Sequence, residues 1–579
     1  MKRLCLFFFA ILLFQISFAQ NRTITIKLIH TTDVHGSYFP YDFSKRMNAK
    51  GSLTRVSSYI KSQRKIYHQN VLLFDNGDIL QGQPSSYYYN YIDTSSVHLC
   101  AAMMNEIKYD VGNLGNHDVE TGTKVFNRWA KQCHFPIICA NAISNATGKP
   151  YFEPYHIFNC SGVKVAVLGM ITSAIPCWLS KDVYSGLHFD DMESTARYWI
   201  NIIREKEHPD IVVGLFHSGI EAETLEGKYR ENASQEVAER IPGFDIIMAG
   251  HDHLTYCKWV RNIVGQNVLI INPGKNAVNV SDVSIKIIKN KNNRTLSKQI
   301  NGQIVSMDNI EPDKQLMDKF ATQYNTLNNF VSHKLGFLDE DISIHPAFYG
   351  PSAFIDAIHS IQLNLTGADI SFSAPFSMNI KINRGDLLVA DLFNLYKYEN
   401  KLYVIKMTGL EIKKYLEESY DKWINEMHQP SDHLFQLKDY NGYISFKNEP
   451  FNFDSAAGIY YTVNVTKPKG KRINIEKMAN GDPFFPNKTY QVALNSYRGN
   501  GGGGLLVDGA GIPAKELEDR IIYRSDNEMR YYIMKYIEQN GTGVFHSLNQ
   551  WKLIPEEWTE AAAQRDSALL FDENSKERH

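Results

Sequence analysis

Residues 114–118 read Leu-Gly-Asn-His-Asp, and four other short segments of the first half share that chemistry: TTDVHG at 31–36, DNGD at 75–78, FHSG at 216–219 and GHDH at 250–253. Apolar runs with strand character precede them, among them Thr23–Ile29, Val71–Phe74, Ile211–Phe216 and Ile246–Ala249. Val163–Met170 and Val268–Ile271 are further strand candidates, and Leu53–His68 and Met192–Glu207 carry helical periodicity. Strands alternating with helices predict an α/β layer architecture, and nearly continuous Val/Ile/Leu runs predict strands covered on both faces. In such sheets, ligand loops gather at the carboxyl ends of the strands.

The five segments hold the residue types of a two-metal site: Asp33 and His35, Asp78, Asn116, His217, and His251 with His253. Carboxylate and amide oxygens with neutral imidazole suit Zn, Mn, Fe or Co. A carboxylate such as Asp78 can bridge two ions roughly 3.5–4 Å apart, the spacing used in phosphoester hydrolysis. Gly77, Gly115 and Gly250 let the backbone turn tightly beside these side chains. One DxH or GNH alone would be an ordinary surface loop; five in order, each closing a strand, are not a chance pattern.

The rest of the 579 residues sets limits. The chain has 61 basic against 63 acidic side chains, a formal charge of -2, 43% hydrophobic and 21% charged residues. This is globular composition, long enough for two or more domains, with no basic field for a nucleic acid polymer. Aromatics are abundant, at 12% (31 Phe, 32 Tyr, 7 Trp). Lys2, Arg3, the apolar run Leu4–Phe14 and Ser17-Phe18-Ala19 read as a signal peptide over 1–19 cleaved after Ala19, so a periplasmic or secreted protein without membrane insertion is expected. The six cysteines beyond it are scattered; they read as free thiols with at most one bridge. Pro312–Ser332 reads as a single amphipathic helix, and RGNGGGG (498–504) as irregular backbone.

In this order and placement, DxH…GD…GNHD…H…GHxH resembles the calcineurin-like metallophosphoesterases. The resemblance implies one metal held by Asp33, His35, Asp78 and His253, a second held by Asp78, Asn116, His217 and His251, and a transition-state role for His117 with Glu120 or Asp118 as its partner. The segments ADISFSAPF (368–376), YKYENKLYVIKMTG (396–409), FDSAAGIYYT (453–462), KPKGKRI (467–473) and VALNSYRGNGGGG (492–504) resemble the C-terminal domain of secreted 5'-nucleotidases. Their form is closest to the bifunctional 2',3'-cyclic-nucleotide 2'-phosphodiesterase/3'-nucleotidases, because SAPFSMN (373–379) stands where typical 5'-nucleotidases carry a phosphate-clamping arginine.

That resemblance implies a four-layer α/β sandwich over 20–311, a connector helix over 312–332, an α/β substrate domain over 333–550 and a tail over 551–579. Phe453 and Tyr497 fall at the base-stacking positions, with Phe451 and Tyr460 as neighbours of the first; Ser455 and Asn495 are candidate polar contacts. Arg498 reads equally as an external salt bridge or a ligand. The implied activity is hydrolysis of 2',3'-cyclic nucleotides to 3'-nucleotides and then to nucleoside and phosphate, by a water activated at two divalent ions in a monomer whose only partner is a small nucleotide. A 5'-nucleotidase or nucleotide-sugar hydrolase is the alternative within the family; a non-catalytic nucleotide-binding protein or a surface adhesin are alternatives outside it.

Overall fold

The computed structural model describes residues 21–571 except 222–223, 226–228, 291 and 441–442; the expected signal peptide lies outside the described residues. Two six-stranded sheets face each other in the first half. One has the order Thr295–Ser306, Asn279–Lys289, Arg22–Thr31, Val71–Asp75, Val111–Asn113, Ile137–Ile138. The other runs Thr255–Arg261, Asn267–Pro273, Ile246–Ala249, Ile211–His217, Val163–Ile171, Tyr155–Cys160.

Alternation along single strands shows why there are four layers. In Val71–Asp75, Leu72 and Phe74 pack between the sheets, while Val71 and Leu73 pack under the helices Leu53–Tyr67 and Leu99–Ile107. In Ile211–His217, Val213 and Leu215 join the inter-sheet core, and Val212 and Phe216 face the helices Met192–Ile202 and Ser234–Arg240. Strands apolar on both faces need helices on both outer sides, which is the expected sandwich.

Register brings the loops together. Parallel pairing sets Thr31 beside Asp75 and Asp75 beside Gly112 in one sheet, and Phe216 beside Ala249 in the other. The chain therefore leaves these strands at one common edge. There Asn76 Nδ2 donates to Phe216 O (2.9 Å) and Met248 O (3.2 Å), and Asn113 Nδ2 donates to Met170 O (2.8 Å) and Leu215 O (3.0 Å). These two amides stitch sheet to sheet directly beneath the loops.

The stretch expected to be one connector helix is two, Lys314–Lys319 and Ala321–Val331. The break is at Phe320, whose backbone turns out of helical geometry (φ -104°, ψ 19°) as its ring enters the first-domain core beside Leu316 and Leu327. The second half builds a five-stranded sheet in the order Ser455–Ala457, Ile370–Ser373, Thr489–Asn495, Lys401–Thr408, Ile521–Glu528. Its helix Gly409–Trp423 starts at a reciprocal cap, Thr408 Oγ1 accepting from Glu411 N and Glu411 Oε2 from Thr408 N.

Residues 551–571, part of the stretch expected as a tail, belong to this core. Trp551–Ile554 pairs with Ile459–Asn464 in a three-stranded sheet, and the helix Glu556–Phe571 buries Ala562 and Leu570. Much of the aromatic excess is likewise core: Trp129, Trp423, Tyr396, Tyr403, Tyr415, Tyr420 and Tyr461 are among the largest fully buried side chains. No disulfide joins the six cysteines of the described residues. No described helix is long and apolar enough to cross a membrane.

Candidate active site

The seven residues read as metal ligands converge at the shared sheet edge. Ligand atoms of Asp33, His35, Asp78 and His253 lie within 4.8 Å of one another, as do those of Asp78, His217 and His251. Asn116 Oδ1 is 3.1 Å from His217 Nε2 and 2.8 Å from His251 Nδ1. Asp78 is common to both groups.

The loops hold this arrangement at a conformational cost. Asp33, His35, Asp78, His251 and His253 all have positive φ, between 48° and 75°, a region side chains other than glycine rarely occupy. Such strain persists only where surrounding contacts over-determine it, and it concentrates at functional sites. Gly77 and Gly115 are required by close approach: a Cβ on Gly77 would stand 2.2 Å from Gly115 N, and one on Gly115 2.1 Å from Asp78 Oδ1.

Proton accounting shows what the cluster can bind. His35 Nδ1 donates to Gln81 O (3.2 Å) and His217 Nδ1 to Asn76 O (2.7 Å), which turns each Nε2 toward the cluster. His251 Nε2 donates to Glu231 Oε1 (2.9 Å), which leaves Nδ1 to the cluster. These ring nitrogens face further ligand atoms: His35 Nε2 faces His253 Nε2 (2.9 Å), His217 Nε2 faces Asp78 Oδ2 (3.1 Å), and His251 Nδ1 faces Asn116 Oδ1. Asp78 Oδ2 is buried with no hydrogen-bond partner. Burial, reinforced by His253, pushes the His35 pKa down to about 3, which keeps its imidazole in the neutral ligand form. Burial opposes a charge on His217, but the Asp78 and Asp33 carboxylates prevail and lift its pKa to about 10. A convergent set of N and O ligand atoms that draws positive charge inward fits divalent cations.

The sequence left open which acid partners His117, and the geometry separates the two candidates. His117 Nδ1 donates to Glu120 Oε2 at 2.5 Å. Burial opposes a charge on this ring, but the Asp78 and Glu120 carboxylates prevail and lift its pKa to about 9. Asp118 faces the other way. Its Oδ2 accepts from Asp78 N and Gly115 N, and its Oδ1 from Ile79 N and Leu80 N, all at 2.8–2.9 Å. Asp118 is the anchor of the 75–80 loop and not a partner of His117.

A cleft of about 1110 Å³ opens from Asn116, His117, Glu120 and His251 toward the second domain. Its far wall carries Phe376, Tyr398, Asn400, Phe451, Asn452, Asn495, Tyr497 and Gly501–Gly504. Tyr497 and Asn495 stand where expected, although Asn495 Oδ1 also caps the short helix Ser496–Gly499 by accepting from Arg498 N.

Phe453 does not reach the cleft: it is 1% exposed, stacked on Trp423 at 5.5 Å and 9°. Phe451 lines the cleft instead, its ring 6.2 Å from that of Tyr497 and nearly perpendicular to it at 86°. The cause is local. Pro450–Asn452 forms a 3-10 turn, so Phe451 and Phe453 point to different surroundings. Ser455 is buried in a strand, with its Oγ 3.2 Å from His359 Nε2 and away from the cleft. Arg498 is neither external nor a ligand; it is 2% exposed and paired with Asp454 inside the domain.

Glu231 and Trp178, whose ring lies 5.6 Å from that of His251, carry no periodic or motif signal in the sequence, while Asn76 sits within the DNGD segment without being singled out there. Pro450, the turn residue before Phe451, was the one available hint for the stacking position.

Comparison with known proteins agrees with this construction. Residues 26–254 match the calcineurin-like phosphoesterase family, and residues 331–508 the 5'-nucleotidase C-terminal domain. The chain is 27% identical to a Salmonella typhimurium 2',3'-cyclic-nucleotide 2'-phosphodiesterase/3'-nucleotidase over 92% of its own length and 89% of the relative's. It is 26% identical to the Bacillus subtilis trifunctional nucleotide phosphoesterase YfkN over 92% of its length, but spans only 39% of that protein. A Staphylococcus aureus crystal structure described as a 5'-nucleotidase, with alpha-ketoglutarate bound, shares the fold at a TM-score of 0.74 and 23% identity, covering 91% of this chain and 99% of that one. The chain belongs to the calcineurin-like metallophosphoesterases that carry a C-terminal 5'-nucleotidase domain, and it is a metal-dependent phosphoric ester hydrolase.

Proposed function

We propose that this hydrolase converts 2',3'-cyclic nucleotides to 3'-nucleotides and these to nucleoside and phosphate, outside the cytoplasm, as a monomer. The observation that carries the reading is the single cleft, which joins the convergent Asp, Asn and His side chains at one end to Phe451 and Tyr497 at the other. A phosphate can sit at the first end while a base stacks at the second.

Divalent ions held by Asp33, His35, Asp78, Asn116, His217, His251 and His253 would lower the pKa of a water and offset charge on the phosphoryl oxygens. The chain's own groups do the rest. Phe451 and Tyr497 hold the base through stacking, which tolerates any base. Glu120 fixes the His117 ring by its Nδ1, leaving Nε2 for the substrate. Water adds to phosphorus and the P–O2' bond breaks. His117 supplies the proton to O2' and regains one from the attacking water. The 3'-nucleotide then loses phosphate in the same way, with O3' as the leaving oxygen.

SAPFSMN at 373–379, with no arginine, favours cyclic and 3' substrates over 5' ones. Purified protein supplied with Mn, Co or Zn is expected to release phosphate from 2',3'-cyclic AMP and 3'-AMP faster than from 5'-AMP. The reverse order would assign a 5'-nucleotidase, and no turnover of any would leave a binding protein.

A further inference from the structure

The two domains also meet in a buried polar cluster beside the cleft. Tyr87 and Tyr91 come from the first-domain segment formed by the short helix Pro84–Tyr87 and the π-helical turn Tyr88–Ile92. Glu399, Glu528 and Arg530 come from the second domain. Tyr91 OH donates to Glu399 Oε2 at 3.0 Å, and Tyr87 OH donates to Glu528 Oε1 at 2.6 Å. Arg530 Nη1 lies 3.9 Å from Glu399 Oε1, and its guanidinium covers Phe393 at 4.1 Å and Tyr87 at 5.0 Å. All three charged residues are buried, and Tyr87, Val389 and Phe393 form an apolar sheath around them.

This cluster connects both walls of the cleft. Asn90, on the π-helical turn, donates from Nδ2 to Leu80 O at 2.7 Å, which ties that turn to the loop following Asp78. Glu399 sits between Tyr398 and Asn400, both of which line the cleft, and Asn400 O accepts from Met529 N at 2.7 Å. The route from the Asp78 loop to the opposite wall thus runs through the Tyr91–Glu399 hydrogen bond.

Stability alone does not account for it. Two buried carboxyl groups and a guanidinium, with Glu528 Oε2 and Arg530 Nη1 lacking hydrogen-bond partners, are a costly way to fill an interface that apolar side chains could fill as well. What directed hydrogen bonds supply, and apolar contacts do not, is a fixed register between the domains.

We propose that this cluster is an interdomain clasp: Tyr91 with Glu399, and Tyr87 with Glu528 beside Arg530, are positioning residues that set where Tyr398 and Asn400 stand relative to the residues around Asp78. The inference rests on the reading that one nucleotide touches both domains. Three variants test it. Y91F and E399L remove the hydrogen bond, while E399Q keeps an acceptor for the Tyr91 hydroxyl.

Each is assayed with 2',3'-cyclic AMP and with glycerol 2-phosphate, a base-free ester with no ring to stack on Phe451 or Tyr497. Solution X-ray scattering then measures the domain arrangement. Y91F and E399L are expected to lose about tenfold in kcat/KM on the nucleotide, mainly through KM, the scale of one hydrogen bond. They should hold the parent rate on the base-free ester and give a larger radius of gyration, with E399Q nearer the parent. Equal losses on both esters, or no change in kinetics and scattering, would overturn the clasp. Should the parent protein turn over neither ester, the proposed function falls and scattering decides alone: expansion supports the clasp and unchanged dimensions reject it.

Discussion

Arg498 and Asp454 form a two-point ion pair inside the second domain, Nη2 to Oδ1 at 2.9 Å and Nε to Oδ2 at 3.1 Å. The remaining guanidinium hydrogens reach Asn452 Oδ1 (3.0 Å), Gly502 O (2.7 Å) and Phe451 O (2.5 Å). One side chain therefore joins the turn bearing Phe451 to the glycine run beside Tyr497. The run must be glycine for this to happen: at Gly503, with φ +73°, a Cβ would stand 2.3 Å from Arg498 Nη1 and 2.2 Å from Asn452 Oδ1.

The first prediction follows from that pair. Lysine keeps the charge but has no planar fork, so R498K is expected to leave Asp454 half-paired in a buried site. Breaking a buried pair costs about 3–5 kcal/mol, and thermal unfolding of R498K should show a loss on that scale. KM for nucleotides should rise as well, because both stacking segments lose their common anchor. An unchanged Tm with unchanged KM would remove the anchor role.

A second prediction separates two phenylalanines two residues apart. F451A should raise KM by the loss of one stack, about 1–3 kcal/mol, with little change in Tm. F453A should instead lower stability by about 3–5 kcal/mol, since it empties core space against Trp423 and Phe446. Kinetics and thermal melts on the same two proteins check it, and the exchanged result would put Phe453 in the cleft.

These phenylalanines also mark how far the sequence could be read. The site's inorganic end was legible because each ligand type follows a strand, and parallel register fixes where strands end: Asp33, Asp78, His217 and His251 needed no side-chain packing to be placed together. The base end was not, because it depends on turns. A 3-10 turn at Pro450–Asn452 decides which aromatic faces outward, and Pro450 alone hints at it. Asp118 and Glu120 differ for a similar reason. Both sit within reach of His117 in sequence, yet the close approach of Gly77 and Gly115 delivers the 78–80 amides to Asp118 and leaves Glu120 for the ring. The connector's break at Phe320 and the docking of 551–571 are tertiary choices of the same kind.

That difference gives a third prediction. E120Q keeps an acceptor for His117 Nδ1 and should fold normally, while lowering kcat because the neutral amide no longer favours a charged ring. H117A should cost more, about 10²–10⁴-fold, the range of a general acid. D118N should behave differently from both. Its new NH₂ would face two backbone N–H donors, leaving them unpaired at about 1–3 kcal/mol each, so its main effect should be on thermal stability. A D118N protein with native Tm and an E120Q protein with full kcat would reverse the assignment.

The last prediction concerns pH and Glu399. Burial is the main cause that raises this carboxyl from 4.5 to about 8; Arg530 pulls the other way, and the Glu120 and Glu528 carboxylates add to the rise. Glu528 is raised too, mainly by burial, and Tyr87 and Tyr91 face the same pair. The unfolded chain releases the Glu399 proton near the ordinary value, while the folded protein keeps it until pH passes about 8. The folded state then binds more protons than the unfolded one between those limits, so stability is full below the lower value and falls as pH climbs through the upper one. A shift of this size corresponds to a few kcal/mol, on the order of 1.4 kcal/mol for each pH unit. Glutamine at this position keeps the Tyr91 hydrogen bond but has no proton to lose. E399Q is therefore expected to flatten the decline of Tm between about pH 5 and 8 relative to the parent protein. Identical pH profiles for the two would mean that the Glu399 carboxyl is already ionised in the folded protein across that range, and that Arg530 outweighs burial in the clasp.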